Sequence, residues 1–481
     1  MNVTQGAAQG PRCLVLGGGL AGLAAARGLA KAGAHVALWE AESEPGGVVQ
    51  SAAAEGFLFE LGPNTVPQSA ARVQSLAQEL GLGGELIQSS DLAARRYLFL
   101  DGRLQALPAS PLELLQTRVL SGAGKLRLLS ERLRRFEPPP PGAPEPSFHE
   151  LVEARFGPEV AERLAGAFVR GIYAGDARRL GARSAFPRLW RLLEQHGSVL
   201  AGVAAAARAQ RGGGPRPSRA QRRARAALLS LRGGFGDLVR ALAADLGPRL
   251  ELGRRAVRLL RGPRGFEIED QRGGRAEAER LLLALPAGAA GRLLAPIAPR
   301  AAALLSGIRH AAVHTLHLGF RAADFELDGR SALPAGFGFL VPPGETGPAA
   351  PRCLGALFPS QIFPGRAPAG CVSASLFYAS ETLAADPRGG VALALEDLAR
   401  GLGLPRPPTP LVALEKHWPQ GIAQAEVGHG QRLDALRATL AEELPGVELA
   451  GGYAGGVSVE DTLQGGERAA ERLLGRPAAG R

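Results

Sequence analysis

The order of apolar and polar positions near the N-terminus predicts a strand, a turn, a helix and a second strand. The apolar run 13–16 predicts a short buried strand that leads directly into the glycine-rich turn 17–22. The apolar stretch 23–32 predicts a helix that Gly33 closes, and residues 35–39 predict the next strand. This order is typical of the start of a doubly wound α/β domain.

Three glycines in this turn have the spacing of a dinucleotide-binding loop. Gly17 permits the tight turn, Gly19 lets the backbone approach a pyrophosphate, and Gly22 lets the helix pack closely on the strand. The second strand leads to Glu40, where a carboxylate can accept hydrogen bonds from a ribose and would repel a 2′-phosphate. We therefore predict a bound dinucleotide with its pyrophosphate at the helix N-terminus, the alternative being a purely structural glycine turn.

Later segments repeat this pattern of strands and glycine turns. Residues 231–238 lead into a helix, and residues 256–259 and 281–285 predict strands. A second glycine-rich turn, 451–457, precedes the apolar helix 462–474, whose N-terminal amides can stabilise negative charge. The nucleotide domain is therefore expected to be assembled from separated pieces.

The segments between these pieces have two different patterns. Residues 108–211 predict helices, and the arginine-rich stretch 212–225 predicts a solvated tether. Alternation in residues 314–320 and 371–377 predicts strands of a further sheet.

The predicted fold class is α/β, with a discontinuous Rossmann-like domain, a mixed-sheet substrate domain and a helical lobe. The predicted boundaries are 1–90, 231–295 and 427–481 for the nucleotide domain, 91–107 and 296–426 for the substrate domain, and 108–230 for the lobe.

Composition narrows the class of protein without identifying it. The chain has 481 residues, of which 46% are hydrophobic and 21% charged, which is typical of a multi-domain globular protein. The formal net charge of +11 would suit anionic lipid, acidic substrates or nucleic acid, but no nucleic-acid motif is present. Neither a signal segment nor a run of membrane-spanning length is evident, and the three cysteines lack metal-ligand spacing, so a cytoplasmic protein is expected.

Four motifs, in family order, resemble the protoporphyrinogen oxidases of the flavin amine-oxidase superfamily. They are residues 59–65, 171–176, 336–342 and 451–463, and the second is the most specific to the family. The pair Gly46-Gly47 resembles the superfamily's continuation of the nucleotide motif and favours FAD over NAD. One departure lies after Trp418, where residues 422–425 lack the usual Pro and Tyr.

The resemblance implies an enzyme of haem biosynthesis that binds FAD and oxidises protoporphyrinogen IX with O2 as acceptor. Three alternatives remain open: coproporphyrinogen III oxidation, another amine or carotenoid oxidoreductase of the superfamily, and a flavoprotein without catalytic activity. The glycine pattern and the resemblance assign FAD contacts to Gly17, Gly19, Leu20, Ala21, Gly22, Glu40, Ala41, Gly46, Gly47, Gly62, Pro63, Asn64, Thr65, Val257, Trp418, Gly451, Gly456, Val457 and Val459.

The resemblance also implies a substrate site. Arg96 is expected to bind a propionate, and the backbone of Gly171 is expected to face the substrate. The residues expected to enclose the pyrrole rings are Phe337, Gly338, Leu340, Leu357 and Leu376. A solvated surface role for the arginine and ordinary core packing for the apolar side chains are the alternatives. The pattern identifies no catalytic acid or base, and His310, His314 and His317 lack the spacing of a metal site.

The expected partners are the porphyrinogen, O2, a membrane surface and a second copy in a homodimer. Leucines within residues 112–115 and 126–129 are flanked by arginines and could form an apolar face at anionic lipid. Packing inside the lobe is the equally simple alternative. With the resemblance, this pattern favours peripheral association with the inner face of a bacterial plasma membrane.

Overall fold

A computed structural model describes residues 10–140, 142–209, 218, 226–386 and 388–475. The predicted arginine-rich tether, residues 212–225, therefore lies outside the described residues except for Ser218.

The strands, in chain order, are β1 (Arg12–Leu16), β2 (His35–Trp39), β3 (Ser51–Ala54), β4 (Phe57–Glu60), β5 (Val66–Pro67), β6 (Leu86–Gln88), β7 (Tyr97–Leu100), β8 (Arg103–Ala106), β9 (Leu228–Leu231), β10 (Leu250–Glu251), β11 (Ala256–Gly262), β12 (Gly265–Asp270), β13 (Arg275–Ala278), β14 (Arg280–Leu283), β15 (His310–Arg321), β16 (Glu326–Leu327), β17 (Arg330–Ser331), β18 (Gly338–Leu340), β19 (Gly355–Leu357), β20 (Cys371–Ala379), β21 (Val412–Ala423) and β22 (Val447–Leu449).

The α-helices are α1 (Leu20–Lys31), α2 (Ala71–Glu79), α3 (Pro111–Gln116), α4 (Gly122–Leu129), α5 (Phe148–Phe156), α6 (Pro158–Val160), α7 (Ala167–Tyr173), α8 (Ala182–Ala185), α9 (Pro187–His196), α10 (Val199–Ala209), α11 (Phe235–Leu246), α12 (Ala287–Leu294), α13 (Pro299–Ser306), α14 (Pro359–Ile362), α15 (Ser380–Ala384), α16 (Gly390–Leu402), α17 (His429–Glu443), α18 (Gly452–Gly455) and α19 (Val459–Leu473). A π-helical segment, Ala161–Gly166, joins α6 to α7, and short 3-10 turns lie at Gly83–Glu85, Asp91–Ala94, Ser130–Leu133, Gly247–Arg249 and Ala322–Phe325.

A five-stranded parallel sheet forms the centre of the nucleotide-binding half, in the order β10-β2-β1-β14-β22. Its strands come from all three of the sequence pieces predicted for this domain. Both faces are covered, because Val15 packs into the core that contains α1, whereas Leu14 and Leu16 pack into the core on the other face. The C-terminal ends of β1 and β14 therefore meet at one edge, where such sheets bind ligands.

A seven-stranded mixed sheet forms the second half, in the order β21-β15-β20-β19-β18-β7-β8. The twelve-residue strand β15 pairs antiparallel with β20 and β21, and only the pairing of β18 with β7 is parallel. The lobe between β8 and β9 is helical in its described residues. The predicted α/β fold with a Rossmann-like domain, a mixed sheet and a helical lobe is confirmed.

Several element boundaries differ from the predicted ones. Helix α1 begins at Leu20, three residues before the predicted start, because the last residues of the first glycine turn already have helical conformation. Helix α19 also begins three residues early, at Val459, because Ser458 caps its first turn. Strand β9 pairs with β5 and β6, so residues 228–230, predicted as part of the lobe, instead join strands of the nucleotide segment.

Candidate functional site

A cavity of about 4300 Å³ lies between the edge of the parallel sheet, the mixed sheet and the helical lobe. Of the predicted site residues, all except Gly22 and Leu376 line it. One continuous space therefore contains both the predicted nucleotide contacts and the predicted substrate contacts, which come from segments far apart in the sequence.

The three glycines of the first turn differ in what surrounds them. A Cβ atom at Gly17, whose φ is +103°, would lie 2.5 Å from the Ala284 carbonyl oxygen, and one at Gly22 would overlap the carbonyl oxygen of Gly17. A Cβ atom at Gly19 would meet no protein atom within 4 Å. Gly17 and Gly22 are therefore required by packing, whereas Gly19 leaves open space for a ligand at the N-terminus of α1.

Glu40 is held at the edge of this space by backbone amides. The N–H of Gly18 donates to one carboxylate oxygen at 2.5 Å, and the N–H of Glu42 donates to the other at 2.8 Å. Each oxygen keeps a further lone pair, so the carboxylate is oriented and still able to accept hydrogen bonds from ribose hydroxyls.

Two valines expose apolar surface on the cavity wall. Val257 has 53% of its surface exposed and Val457 has 38%, although both line a concave site. Apolar side chains exposed in a cavity mark a ligand-binding surface. Both valines are among the predicted FAD contacts.

The loop 62–65, whose residues are all among the predicted FAD contacts, is braced by specific contacts. Gly62 lies against Val48, so that a Cβ atom would overlap the Val48 carbonyl oxygen, and the Asn64 amide donates to the Gly62 carbonyl at 2.9 Å. The Trp418 indole N–H donates to the Leu61 carbonyl at 2.7 Å, which ties β21 to this loop. The loop is therefore positioned by its own backbone and by the mixed sheet.

The N-terminus of α19 also lines the cavity. The Ser458 hydroxyl caps the helix by accepting from the Asp461 N–H at 3.0 Å. The buried carboxylate of Glu460 accepts from the N–H groups of Arg72 and Val73 at 3.0 and 2.9 Å. These bonds cap α2 and fix the first turn of α19, whose free amides provide a positive end for a negatively charged group.

The remainder of the cavity has apolar walls. Phe168 and Ile172 of α7 expose 39% and 50% of their surface, and on the other side lie Phe337, Leu340 and Leu357. Gly171 is in contact with Leu340. We call this part of the cavity, between α7 and strands β18 and β19, the apolar chamber; its walls suit an apolar ligand.

Arg96 lies at the wall of the apolar chamber without a counter-charge. Its guanidinium carbon is 5.0 Å from the centre of the Phe337 ring, a cation–π contact. Within the part of the chain that the structure describes, no carboxylate lies within ion-pair distance of it. Partial burial lowers the pKa of Arg96 from its ordinary value, but an arginine stays protonated, so the site holds a positive charge that a carboxylate ligand could neutralise.

The structure differs from the prediction at Leu376. This side chain is fully buried in the core of the mixed sheet, and Phe377 lines the cavity instead. Successive residues of a strand face opposite sides, so a shift of one residue exchanges core and cavity. Four further residues line the cavity and were not predicted to do so: Val313, Thr315, Phe168 and Ile172. Alternation along β15 and the overlap of the motif 171–176 with α7 were usable signals for them.

The three neighbouring histidines do not converge on the cavity. His317 is buried in the sheet, with its ring nitrogens 2.9 Å from the Ser375 hydroxyl and 3.0 Å from the Thr315 hydroxyl, and burial lowers its pKa to about 3. The His314 ring lies 3.9 Å from the His417 ring at an angle of 37°, while His310 lines the cavity beside Tyr453. Their arrangement is that of packing residues.

Comparison with known proteins identifies the family. The model of the flavin containing amine oxidoreductases matches residues 20–474. The predicted cofactor, FAD, and the predicted oxidoreductase class are confirmed by this match, and the open glycine turn, the oriented Glu40 carboxylate and the exposed valines fit such a dinucleotide.

Relatives of known name cover almost the whole chain. The protoporphyrinogen oxidase of Bos taurus is 33% identical over 97% of this chain and 99% of its own, and the chloroplastic protoporphyrinogen oxidase of Oryza sativa subsp. japonica is 30% identical over 98% and 91%. A crystal structure from Exiguobacterium sp. 255-15 with a provisional protoporphyrinogen oxidase name has the same fold, with a TM-score of 0.80 at 22% identity over 96% and 98% of the two chains. The chain therefore belongs to the flavin containing amine oxidoreductase family and, within it, to the protoporphyrinogen oxidases.

Proposed function

We propose that this flavoenzyme oxidises protoporphyrinogen IX to protoporphyrin IX, with O2 as the electron acceptor, in haem biosynthesis. The observation that carries the proposal is Arg96, which lies beside Phe337 and has no carboxylate partner among the described residues. It stands at the wall of an apolar chamber that is continuous with the predicted nucleotide site. The names of the full-length relatives support it. When bound, FAD supplies two-electron oxidation, so the six-electron conversion takes three rounds and releases three molecules of hydrogen peroxide.

The chamber offers two kinds of contact to two parts of the substrate. The apolar walls, from Phe168 and Ile172 on one side and Leu340 on the other, suit the pyrrole rings. Arg96 suits a propionate, because a planar guanidinium binds a carboxylate through two parallel hydrogen bonds. The charged contact with Arg96 would orient the macrocycle, and packing against the apolar walls would hold its rings.

Coproporphyrinogen III oxidation is the second candidate, and one observation favours it. Arg183, Arg188 and Arg191 of the lobe also line the cavity, and none of them has a carboxylate within ion-pair distance among the described residues. Additional free cations suit a substrate with four propionates rather than two.

The test is a direct comparison of the two porphyrinogens with the purified flavoprotein. Protein with bound flavin, identified by its absorbance, is supplied with each porphyrinogen, and oxygen uptake and porphyrin fluorescence are recorded together. We expect turnover of protoporphyrinogen with a higher kcat/KM than coproporphyrinogen. A higher kcat/KM for coproporphyrinogen would instead support coproporphyrinogen III oxidation. Flavin without oxidation of either compound would reject both, and oxidation of amines or carotenoids alone would assign another branch of the family.

We further propose that the lobe contacts a membrane surface, on the inner face of a bacterial plasma membrane. Five leucines of α3, α4 and the turn that follows are exposed: Leu112, Leu115, Leu126, Leu129 and Leu133. Leu114 and Leu128 pack against the core of the lobe, so only some leucines of the two predicted apolar segments are buried. Exposed arginines, including Arg127 and Arg132, flank the leucines and suit anionic lipid. Among the described residues, no helix combines the length and apolar character needed to cross a bilayer.

A further inference from the structure

A buried glutamine connects the end of β21 with the wall of the apolar chamber. Gln424 follows β21 directly and has only 3% of its surface exposed. Its side-chain amide donates to the carbonyl oxygen of Tyr173 at 2.9 Å and to that of Ile422 at 3.1 Å. The contact therefore joins two segments that are far apart in the sequence.

The carbonyl of Tyr173 is a C-terminal carbonyl of α7, where the helix itself provides no donor. The helix stops there because Ala174 has left-handed backbone geometry, with φ of +45°. Gly175 then passes so close to Gln424 that a Cβ atom would overlap its side-chain oxygen. The turn after α7 is thus shaped around the amide of Gln424.

Helix α7 is held from a second direction by the mixed sheet. The Arg170 guanidinium donates to the carbonyl oxygens of Val341 and Pro342 at 3.1 and 3.3 Å, and Gly171 packs on Leu340. With Gln424 at its C-terminal end, α7 is attached both to the residues after β18 and to the end of β21. Its chamber-facing residues, Gly171 and Ile172, take their position from these two attachments.

We infer that Gln424 is a positioning residue for substrate binding: its amide fixes the C-terminal end of α7 and so sets the width of the apolar chamber. The inference rests on the proposed function. Gln424 itself lies behind the chamber wall, and its effect on the substrate passes through Tyr173 and the helix.

The first experiment replaces Gln424 by leucine in the flavin-loaded protein. We expect KM for the porphyrinogen to rise about tenfold, because a buried carbonyl loses its donor, while kcat and the flavin content change less than twofold. The matched control is Gln74→Leu. The Gln74 amide likewise donates to two backbone carbonyls, those of Gln68 and Ala70, at 2.8 and 3.2 Å, but it lies on α2 outside the chamber. The control should leave KM unchanged.

A second readout does not depend on turnover. Binding of protoporphyrin, followed by quenching of its fluorescence, should weaken by a similar factor in Gln424→Leu and remain normal in the control. If the parent protein oxidises neither porphyrinogen, the proposed function fails, whereas weaker porphyrin binding would still support the positioning role. Unchanged KM and porphyrin binding, or loss of flavin together with a lower kcat, would overturn it.

A double-mutant cycle keeps the proposal testable if the leucine variant does not fold. Gly175→Ala in the parent should raise KM, because the new methyl group displaces the Gln424 amide. In a Gln424→Ala background, where that amide is absent, Gly175→Ala should have little further effect. Fully additive effects of the two substitutions would contradict a shared role.

Discussion

Gly171 of α7 and Leu340 of β18 are in direct contact in the wall of the apolar chamber, and a Cβ atom at position 171 would overlap the leucine side chain. The substitution Gly171→Ala should therefore separate α7 from β18 and distort the chamber. We expect KM for the porphyrinogen to rise about tenfold, in line with the cost of overpacking of roughly 1–3 kcal/mol, with normal flavin content. Gly122→Ala in α4, where a Cβ atom meets no neighbour within 4 Å, is the control and should behave like the parent in the same steady-state assay.

Gly19 offers a test of the nucleotide site that separates binding from folding. Because a Cβ atom there meets no protein atom and the backbone has ordinary geometry, with φ of −65°, Gly19→Leu should fold normally without cofactor. Its side chain would occupy the space for the pyrophosphate, so FAD content by absorbance should fall to a small fraction. By contrast, Gly22→Ala should lower the thermal stability of the cofactor-free protein. A full flavin complement in Gly19→Leu would refute the predicted location of the pyrophosphate.

Arg96→Ala should weaken substrate binding without affecting the cofactor. A charge-assisted hydrogen bond to a carboxylate contributes about 1.5–3 kcal/mol, so we expect KM to rise at least tenfold while the flavin content stays constant. Arg95→Ala is the matched control, because both arginines are exposed but Arg95 does not line the cavity. Equal KM values for the parent and Arg96→Ala, with both porphyrinogens, would exclude a propionate contact.

His317 should make the protein sensitive to acid. Its pKa is lowered from 6.5 to about 3 by burial, so below pH 6.5 the unfolded chain binds a proton that the folded chain does not. Stability should therefore fall as the pH decreases from about 6.5 towards 3, with a slope of up to about 1.4 kcal/mol per pH unit from this residue. His317→Gln should show a shallower decline of Tm with acid than the parent. The exposed His196→Gln variant should retain the parent's decline.

The membrane proposal predicts binding to anionic vesicles through the exposed leucines. Purified protein should co-float with vesicles of anionic lipid at low salt and less at high salt. A triple variant, Leu112→Ser, Leu115→Ser and Leu126→Ser, should bind less while retaining flavin. Leu327→Ser, at an exposed leucine of the mixed-sheet half, is the control. The proposal would be rejected if the parent protein never co-floats with the vesicles and its activity does not change when detergent is added.

The features that could be predicted best from the sequence are those formed by residues close together in the chain. The order of β1, the glycine turn, α1, β2 and Glu40 follows from a local pattern, and the structure shows each part. Contacts between distant segments had no such local signal. The bond from Gln424 to Tyr173 depends on the fold, and the interchange of Leu376 and Phe377 depends on the register of β20 with β15 and β19. A one-residue uncertainty in alignment is enough to reverse the facing of a strand.

The order of strands in the parallel sheet also determines when the enzyme can form during synthesis. Strand β1 pairs with β14, where Cys13 lies opposite Arg280. Strand β14 in turn pairs with β22, where Leu281 lies opposite Val447. The first glycine turn leaves the ribosome early, but the cavity that it lines is complete only after α19 has been synthesised. Pairing across such distances is slow to form, and the apolar faces of β1 and α1 are uncovered in the meantime. Nascent chains of this protein should therefore require a holding chaperone until the final helix emerges, and a chain that ends before α19 should accumulate in aggregates rather than as a smaller folded domain.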